Sequence, residues 1–178
     1  MWINPVPYTL VPTDDSMSFL NMPAMHTGLP TGNHVGAFGV KRKHHWHEGV
    51  DLYVPKATPI ITVEEGEVVA VVPFTGPAAG LPWWLDTQAV FVEGPSGVVV
   101  YGEIAPHIAV GTRVVAGTLI GVAIPVLKHD KGRPMCMLHL ELHTPGSRSA
   151  PEWLTEEKPE VLIDPTSFLL NAQCLTKL

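Results

Sequence analysis

Short apolar runs separated by glycine and proline dominate the chain from about residue 36 onward. The clearest runs cover residues 59–63, 68–72, 89–92 and 98–101, and all four contain valine or isoleucine. Apolar runs of this length, bounded by turn residues, predict β-strands. Residues 110–121 add three glycines among valines, which favours tight corners in a sandwich or barrel.

The two ends of the chain have a different pattern. Residues 1–35 are rich in Pro, Asn, Thr and Gly without a sustained period, and they predict an extended, loop-rich arm. The main domain is predicted over residues 36–170, where Asp164 is placed to cap a short C-terminal helix. Residues 171–178 are a predicted tail. The expected fold is therefore all-β, an antiparallel sandwich or barrel with one short helix.

A strict alternation of side chains in residues 136–143 predicts a strand with two unlike faces. One face carries three leucines and Cys136. The other carries Met137, His139, Glu141 and His143. We expect the leucines to face the core, so that the polar face points into a site or into solvent. His139 lies in the middle of that strand, where a metal ligand would be held rigidly.

Composition and charge exclude several classes of function. Hydrophobic residues make up 46% of the 178 residues and charged residues 16%, which is typical of a globular chain. A net charge of −6 without a basic stripe disfavours nucleic acid as a partner. No apolar run is long enough to span a bilayer, and no secretory signal is expected from the first residues. Two cysteines do not define a disulfide framework.

A candidate metal site begins in the segment from His47 to Asp51. On a straight strand these two side chains would lie about 13 Å apart, too far to share one ion. Gly49 between them permits a bend. Zinc takes nitrogen and oxygen donors, and this pair supplies one of each. The alternative is that both are ordinary surface polar residues.

Residues 36–143 resemble the M23 (lysostaphin and LytM-like) zinc endopeptidases, which cut peptidoglycan peptides. The matching segments are HEGVDLYVPKATPIITVEEGEVVAV, VVVYGEI, VGTRVVAGTLIGVA and MLHLEL. The corresponding family motifs read H-x-G-x-D, Y-x-H-L and H-L-H-F-E. The resemblance implies Zn²⁺ held by His47, Asp51 and His139. It also implies a sandwich or barrel of the duplicated hybrid motif type seen in M23 peptidases.

Two positions depart from the family pattern, because Glu103 and Met137 stand where the family has auxiliary histidines. Those histidines assist proton transfer beside the metal, which a thioether cannot do. A glutamate beside a catalytic zinc ion is a good general base. We therefore interpret the chain as a variant with Glu103 as base. A fourth zinc ligand, which would close the site, and a bystander are the alternatives for Glu103.

Other side chains are candidates for auxiliary roles. By alternation Tyr101 shares the face of Glu103, as a donor to a tetrahedral intermediate or as an aromatic wall. His143 is a candidate for the missing donor, as are His45 and His107. Glu141 is a candidate to orient a ligand histidine.

The resemblance predicts a zinc-dependent endopeptidase that cuts stem-peptide or cross-bridge amide bonds of peptidoglycan. Without a signal peptide, we expect action in the periplasm or cell wall after delivery by a secretion machine or a phage. The protein would then be a toxin effector with an immunity protein, a lysin or a phage-tail component. An inactive module that binds cell wall or a partner protein is the alternative. Residues 1–35 either occlude the groove or brace the sheet.

A lipoyl- or biotinyl-type carrier is disfavoured. Such a carrier needs an exposed lysine at a hairpin tip. Lys128 and Lys131 lie in a long polar loop instead.

Overall fold

Most strands belong to one antiparallel sheet in the computed structural model, which describes residues 1–175. The strands are β1 (Thr9–Thr13), β2 (His26–Pro30), β3 (Val50–Tyr53), β4 (Pro59–Ile61), β5 (Gly66–Thr75), β6 (Thr87–Gly94), β7 (Gly97–Pro106), β8 (Arg113–Val114), β9 (Leu119–Ala123), β10 (Met137–His143) and β11 (Leu162–Ile163). The main path runs β11-β10-β7-β6-β5-β8, with β3 on β10 and β9 joining β7 to β4. The prediction of an all-β, antiparallel fold is confirmed.

The N-terminal arm contains more regular structure than its composition predicts. Strands β1 and β2 pair in parallel as a separate two-stranded sheet. Trp2 is buried, and its Nε1 donates to Glu64 Oε2 at 3.1 Å and to Ser96 Oγ at 3.0 Å. The hydroxyl of Thr27 donates to the carbonyl of Tyr53 on β3. These contacts tie the arm to the main sheet at two separate points.

Both faces of β10 are buried, since all seven of its residues are shielded from solvent. Leu138, Leu140 and Leu142 pack in the large hydrophobic core together with Cys136. Burial of each such leucine stabilises the fold by about 1.5–3 kcal/mol. The polar face of β10 therefore points into the protein rather than into solvent.

The C-terminal end of the chain packs against the N-terminal arm. A short helix, α1, spans Thr166–Leu170, and Asp164 Oδ1 accepts a hydrogen bond from the Thr166 amide at 2.8 Å. Two 3₁₀ turns occupy Ser18–Asn21 and Pro77–Ala79. Gln173, in the predicted tail, pairs with Ile3, and residues 176–178 of that tail lie outside the described residues. Within residues 1–175, no helix has the length and apolar character needed to cross a membrane.

Candidate metal centre

His47, Asp51 and His139 bring one ligand atom each to a common point. Nε2 of His47 lies 3.1 Å from Asp51 Oδ1 and 3.2 Å from His139 Nδ1. His139 Nδ1 lies 2.8 Å from Asp51 Oδ1, and all three residues are buried. The donor atoms of a tetrahedral zinc ion lie about 3.3–3.6 Å apart, given bonds of about 2.0–2.2 Å. The distances between the three donor atoms, which form a triangle, need to lengthen only slightly to accommodate such an ion.

The pairing of β3 with β10 creates this arrangement. Asp51 lies directly opposite His139 in the register of the two strands. His47 reaches them from the loop before β3, and Gly49 lets that loop cross β10. A Cβ on Gly49 would lie 2.5 Å from the Leu140 carbonyl oxygen and 3.0 Å from His139 Nε2. Glycine is therefore required at this position because a larger side chain would clash. Backbone freedom is not the reason, since Gly49 does not adopt the left-handed conformation.

The hydrogen bonds of the two histidines fix which nitrogen faces the triangle. His47 Nδ1 lies 3.0 Å from the Ala37 carbonyl oxygen, which can only accept, so Nδ1 carries the proton. His139 Nε2 donates to Glu141 Oε1 at 2.9 Å in the same way. The other nitrogen of each ring faces Asp51 Oδ1 and is the one available to a metal. The donor set therefore fits a divalent cation such as zinc.

The protonation of the metal-free site is consistent with this fit. Burial lowers the pKa of His47. Burial also disfavours a charged His139, but hydrogen bonds to Asp51 and Glu141 outweigh it and raise the His139 pKa well above its ordinary value. A proton on His139 therefore adds a second positive charge beside the Asp51 carboxylate, which also accepts a hydrogen bond from Arg42.

A chain of hydrogen-bonded polar side chains supports His139 through its Nε2. Glu141 Oε2 accepts a hydrogen bond from His143 Nε2 at 2.5 Å, and His143 Nδ1 lies 2.7 Å from Ser147 Oγ. Burial opposes ionisation of Glu141, but its bonds to His139 and His143 lower its pKa to about 2. His143, predicted as a proton donor, therefore holds Glu141 and does not contact the ligand triangle. Glu141 occupies the orienting position that was predicted for it.

Glu103 lies on a β-bulge of β7. Gln88 and Val90 on β6 enclose one residue, whereas their partners Ile104 and Tyr101 enclose two, Gly102 and Glu103. Glu103 has a φ of 66°, a left-handed conformation that costs a non-glycine residue about 1–3 kcal/mol. Strain of this kind is concentrated at functional sites.

The environment of the Glu103 carboxyl is also unusual. Among the described residues its Oε2 is buried without a hydrogen-bond partner. Burial, followed by the charge of Asp51, raises the pKa of Glu103 to about 8. The charges of Asp51 and His139 act on the Glu103 carboxyl. Among the described residues, however, the ligand atoms that lie within 4.8 Å of one another belong to His47, Asp51 and His139, so Glu103 is near the ligand set without being part of it.

Tyr101 lies in the core, which corrects the prediction that it shares the face of Glu103. It pairs with Leu140 on β10 and is almost fully buried. Its hydroxyl oxygen accepts a hydrogen bond from the Val63 amide at 2.8 Å. The bulge breaks the alternation on which the prediction depended. His45 is half-buried 4.0 Å from Glu48, and His107 is exposed at the end of β7.

Phe74 forms one wall of the site. Its ring centroid lies 5.3 Å from that of His139, and a Cβ on Gly102 would clash with the ring at 2.5 Å. Trp83, in the segment between β5 and β6, is 61% exposed. Phe74 therefore lines the site beside His139, whereas Trp83 is open to solvent.

Three side chains near the site were missed. Tyr53 lies two residues after Asp51 on β3, so alternation places it on the same face, and burial raises its pKa to about 12. Arg42 Nη2 donates to Asp51 Oδ2 at 2.6 Å. Arg133 lies close enough for its charge to act on both Tyr53 and Glu103. Only Tyr53 carries a periodic signal in the sequence; the run Lys41–Lys43 looks like a solvated segment.

No protein-family model and no curated protein matches the sequence. Solved structures do match the fold. The catalytic domain of the antimicrobial peptidase lysostaphin from Staphylococcus simulans is 18% identical, with a TM-score of 0.52, over 79% of this chain and 91% of its own. Lysostaphin itself is 19% identical over 94% of this chain and 58% of its own, with a TM-score of 0.56.

A Pseudomonas aeruginosa protein described as an M23 peptidase matches 69% of this chain and 43% of its own at 19% identity, with a TM-score of 0.46. The two lysostaphin structures show that the chain has their fold, as the resemblance to the M23 peptidases predicts. The match covers most of the lysostaphin catalytic domain. The chain spans about half the length of the two longer proteins.

Proposed function

We propose that the protein is a zinc-dependent peptidase that hydrolyses stem-peptide or cross-bridge amide bonds of bacterial peptidoglycan. The observation that carries the proposal is the convergence of His47 Nε2, Asp51 Oδ1 and His139 Nδ1 on one point. The peptidase fold and the strained, buried Glu103 beside this point add support. The substrate class comes from the resemblance to the M23 family.

Each residue has a distinct part in the proposed reaction. His47, Asp51 and His139 would hold the zinc ion, which when bound polarises a carbonyl and makes water more acidic. Glu141 keeps His139 in the required orientation and tautomer. Glu103 accepts the proton of the attacking water and delivers it to the leaving amine. Tyr53, on the face of the site, replaces Tyr101 as the candidate hydroxyl donor.

The proposal is tested by digestion of purified peptidoglycan with the zinc-loaded protein, followed by detection of new amino termini. We expect new termini with the wild type. Glu103→Gln should reduce their rate of formation by about a hundredfold or more while zinc still binds, because proton transfer contributes about that much. Equal turnover by the two proteins would remove Glu103 from the mechanism.

A non-catalytic module of the same fold is the second candidate function. Met137 favours it, because it occupies the position of a family histidine on the site face, opposite Tyr53 in the pairing of β3 and β10. This function predicts sedimentation of the protein with peptidoglycan but no new termini from any wall type. Delivery by a secretion machine or a phage, and an immunity protein as partner, stay predictions from the sequence.

A further inference from the structure

The two oxygens of the Asp51 carboxylate have different partners. Oδ1 faces the other two donor atoms, 3.1 Å from His47 Nε2 and 2.8 Å from His139 Nδ1. Oδ2 accepts a hydrogen bond from Arg42 Nη2 at 2.6 Å. The Asp51 side chain is only 4% exposed, so the guanidinium and the two imidazoles surround the carboxylate in place of water. One oxygen is therefore available to a metal ion, and the other is already bound to a cation.

The N-terminal arm fixes the direction of the Arg42 guanidinium. Its Nε and Nη2 both donate to the Val35 carbonyl, at 3.1 and 2.7 Å. The Val35 amide in turn donates to Ser16 Oγ at 3.0 Å, and the Gly36 carbonyl accepts a hydrogen bond from the Asp51 amide at 2.9 Å. Because the planar guanidinium is held through two nitrogens, the N–H of Nη2 that remains is directed at Asp51 Oδ2.

This arrangement limits Asp51 to a single bond with a metal ion. An ion that bound Oδ2 as well as Oδ1 would compete with the guanidinium for the same oxygen and would lie close to its positive charge. Zinc loses nothing from this limit, because it favours four ligands with one donor atom from each. Manganese(II) favours six ligands, mostly oxygens, so it would gain from a carboxylate that offers both.

We infer that Arg42 sets the metal specificity of the site. By holding Asp51 Oδ2, it keeps Asp51 a ligand through one oxygen and favours a four-coordinate ion such as Zn²⁺ over Mn²⁺. Arg42 does not contact the ion and acts through Asp51, so it is a positioning residue. The inference rests on the proposed zinc centre and adds the reason why that centre selects zinc.

The ratio of zinc affinity to manganese affinity tests the inference. Competition with a chelator measures zinc binding, and electron paramagnetic resonance of free Mn²⁺ measures manganese binding. Both ions carry two charges, so loss of the Arg42 charge affects both affinities alike and cancels in the ratio. In Arg42→Met the ratio should fall about tenfold or more, the size of effect that groups behind metal ligands have on affinity. An unchanged ratio would reduce Arg42 to neutralising Asp51 and would overturn the inference.

Two further variants provide the controls. Arg42→Lys keeps a cationic N–H donor for Asp51 Oδ2, so its ratio should lie closer to that of the wild type than the ratio of Arg42→Met does. Arg113→Met removes an arginine whose side chain is 89% exposed, and it should leave the ratio unchanged. A fall in Arg113→Met as large as that in Arg42→Met would show a general effect of charge and would overturn the inference.

The visible spectrum of the cobalt-loaded protein is a second measurement, and its first part needs no variant. Four-coordinate Co²⁺ absorbs far more strongly than six-coordinate Co²⁺. We expect strong bands from the wild type and weaker bands from Arg42→Met, in which Asp51 can offer both oxygens. Weak bands from the wild type would contradict the limit on Asp51, whether or not Arg42→Met folds.

Failure of the proposed function is distinguishable from failure of this inference. Zinc-dependent cleavage of peptidoglycan together with an unchanged ratio in Arg42→Met refutes only the role of Arg42. A lower ratio in Arg42→Met, without any cleavage by the wild type, refutes only the peptidase. A wild-type protein that does not bind zinc through His47, Asp51 and His139 would overturn both.

Discussion

The two faces of β10 are both buried, but they differ in the free energy of burying their side chains. On one face Leu138, Leu140 and Leu142 fill the core, where burial is favourable and similar apolar side chains are interchangeable. On the other face His139, Glu141 and His143 are hidden among aromatic rings, where each polar atom needs a partner. An apolar strand would be easier to bury, and the proposed metal site gives this polar face a function.

Truncation of the apolar face should have the largest effect and should spare the chemistry. Leu140→Ala is expected to lower the free energy of unfolding by about 2–5 kcal/mol, from lost burial and a cavity. Zinc affinity of the folded protein should stay near that of the wild type. Denaturant titration with and without zinc measures both quantities. A large loss of zinc affinity in the folded variant would show that the two faces are not separable.

Substitution on the polar face should instead weaken zinc binding. His143→Phe removes the partner of Glu141 Oε2 and should weaken zinc binding about ten- to a hundredfold, as removal of such supporting groups does elsewhere. Competition with a zinc chelator measures the affinity. His143→Gln, which keeps a donor, should restore part of it. Unchanged zinc affinity in His143→Phe would limit His143 to a packing role.

The polar face should also respond to pH, unlike the leucines. The pKa of His139 is raised in the metal-free protein, so below that pKa zinc must displace a proton from the ring. Zinc affinity should therefore fall as the pH falls, by about tenfold per unit for one proton. Calorimetry in two buffers of different ionisation enthalpy counts the released protons. Zinc binding without proton release would contradict this protonation state.

The smallest expected effect concerns the bulge. Glu103→Gly relieves a left-handed backbone and removes a buried, unpaired carboxyl group, so the free energy of unfolding should rise by about 1 kcal/mol. Thermal unfolding of the metal-free variant measures this change, with Glu67→Gly as a control in an ordinary strand conformation. A loss of stability in Glu103→Gly would show that Glu103 stabilises the fold rather than strains it.

The sequence predicts features that depend on local periodicity. Alternation along residues 136–143 identifies the leucine core face and the position of His139. The motif from His47 to Asp51 is recognisable because glycine lies between two ligand types. The identity of His47, Asp51 and His139 as a spatial group depends on the family resemblance, since nothing local specifies that β3 pairs with β10.

Other features depend on contacts that a single sequence does not contain. The extra residue at Gly102 and Glu103 leaves no trace in the alternation of β7, so Tyr101 is assigned to the wrong face. The need for Gly49 arises only from the Leu140 carbonyl across the strand pair. Arg42 lies in a short basic run, and only the fold brings it to the metal site.

The central claim is that His47, Asp51 and His139 together hold one zinc ion. A crystal structure of the zinc-soaked protein, with diffraction recorded on both sides of the zinc absorption edge, tests it most directly. We predict one anomalous peak about 2.0–2.2 Å from His47 Nε2, Asp51 Oδ1 and His139 Nδ1. Absence of a peak there under full zinc saturation, or a peak bound by other side chains, would contradict the claim.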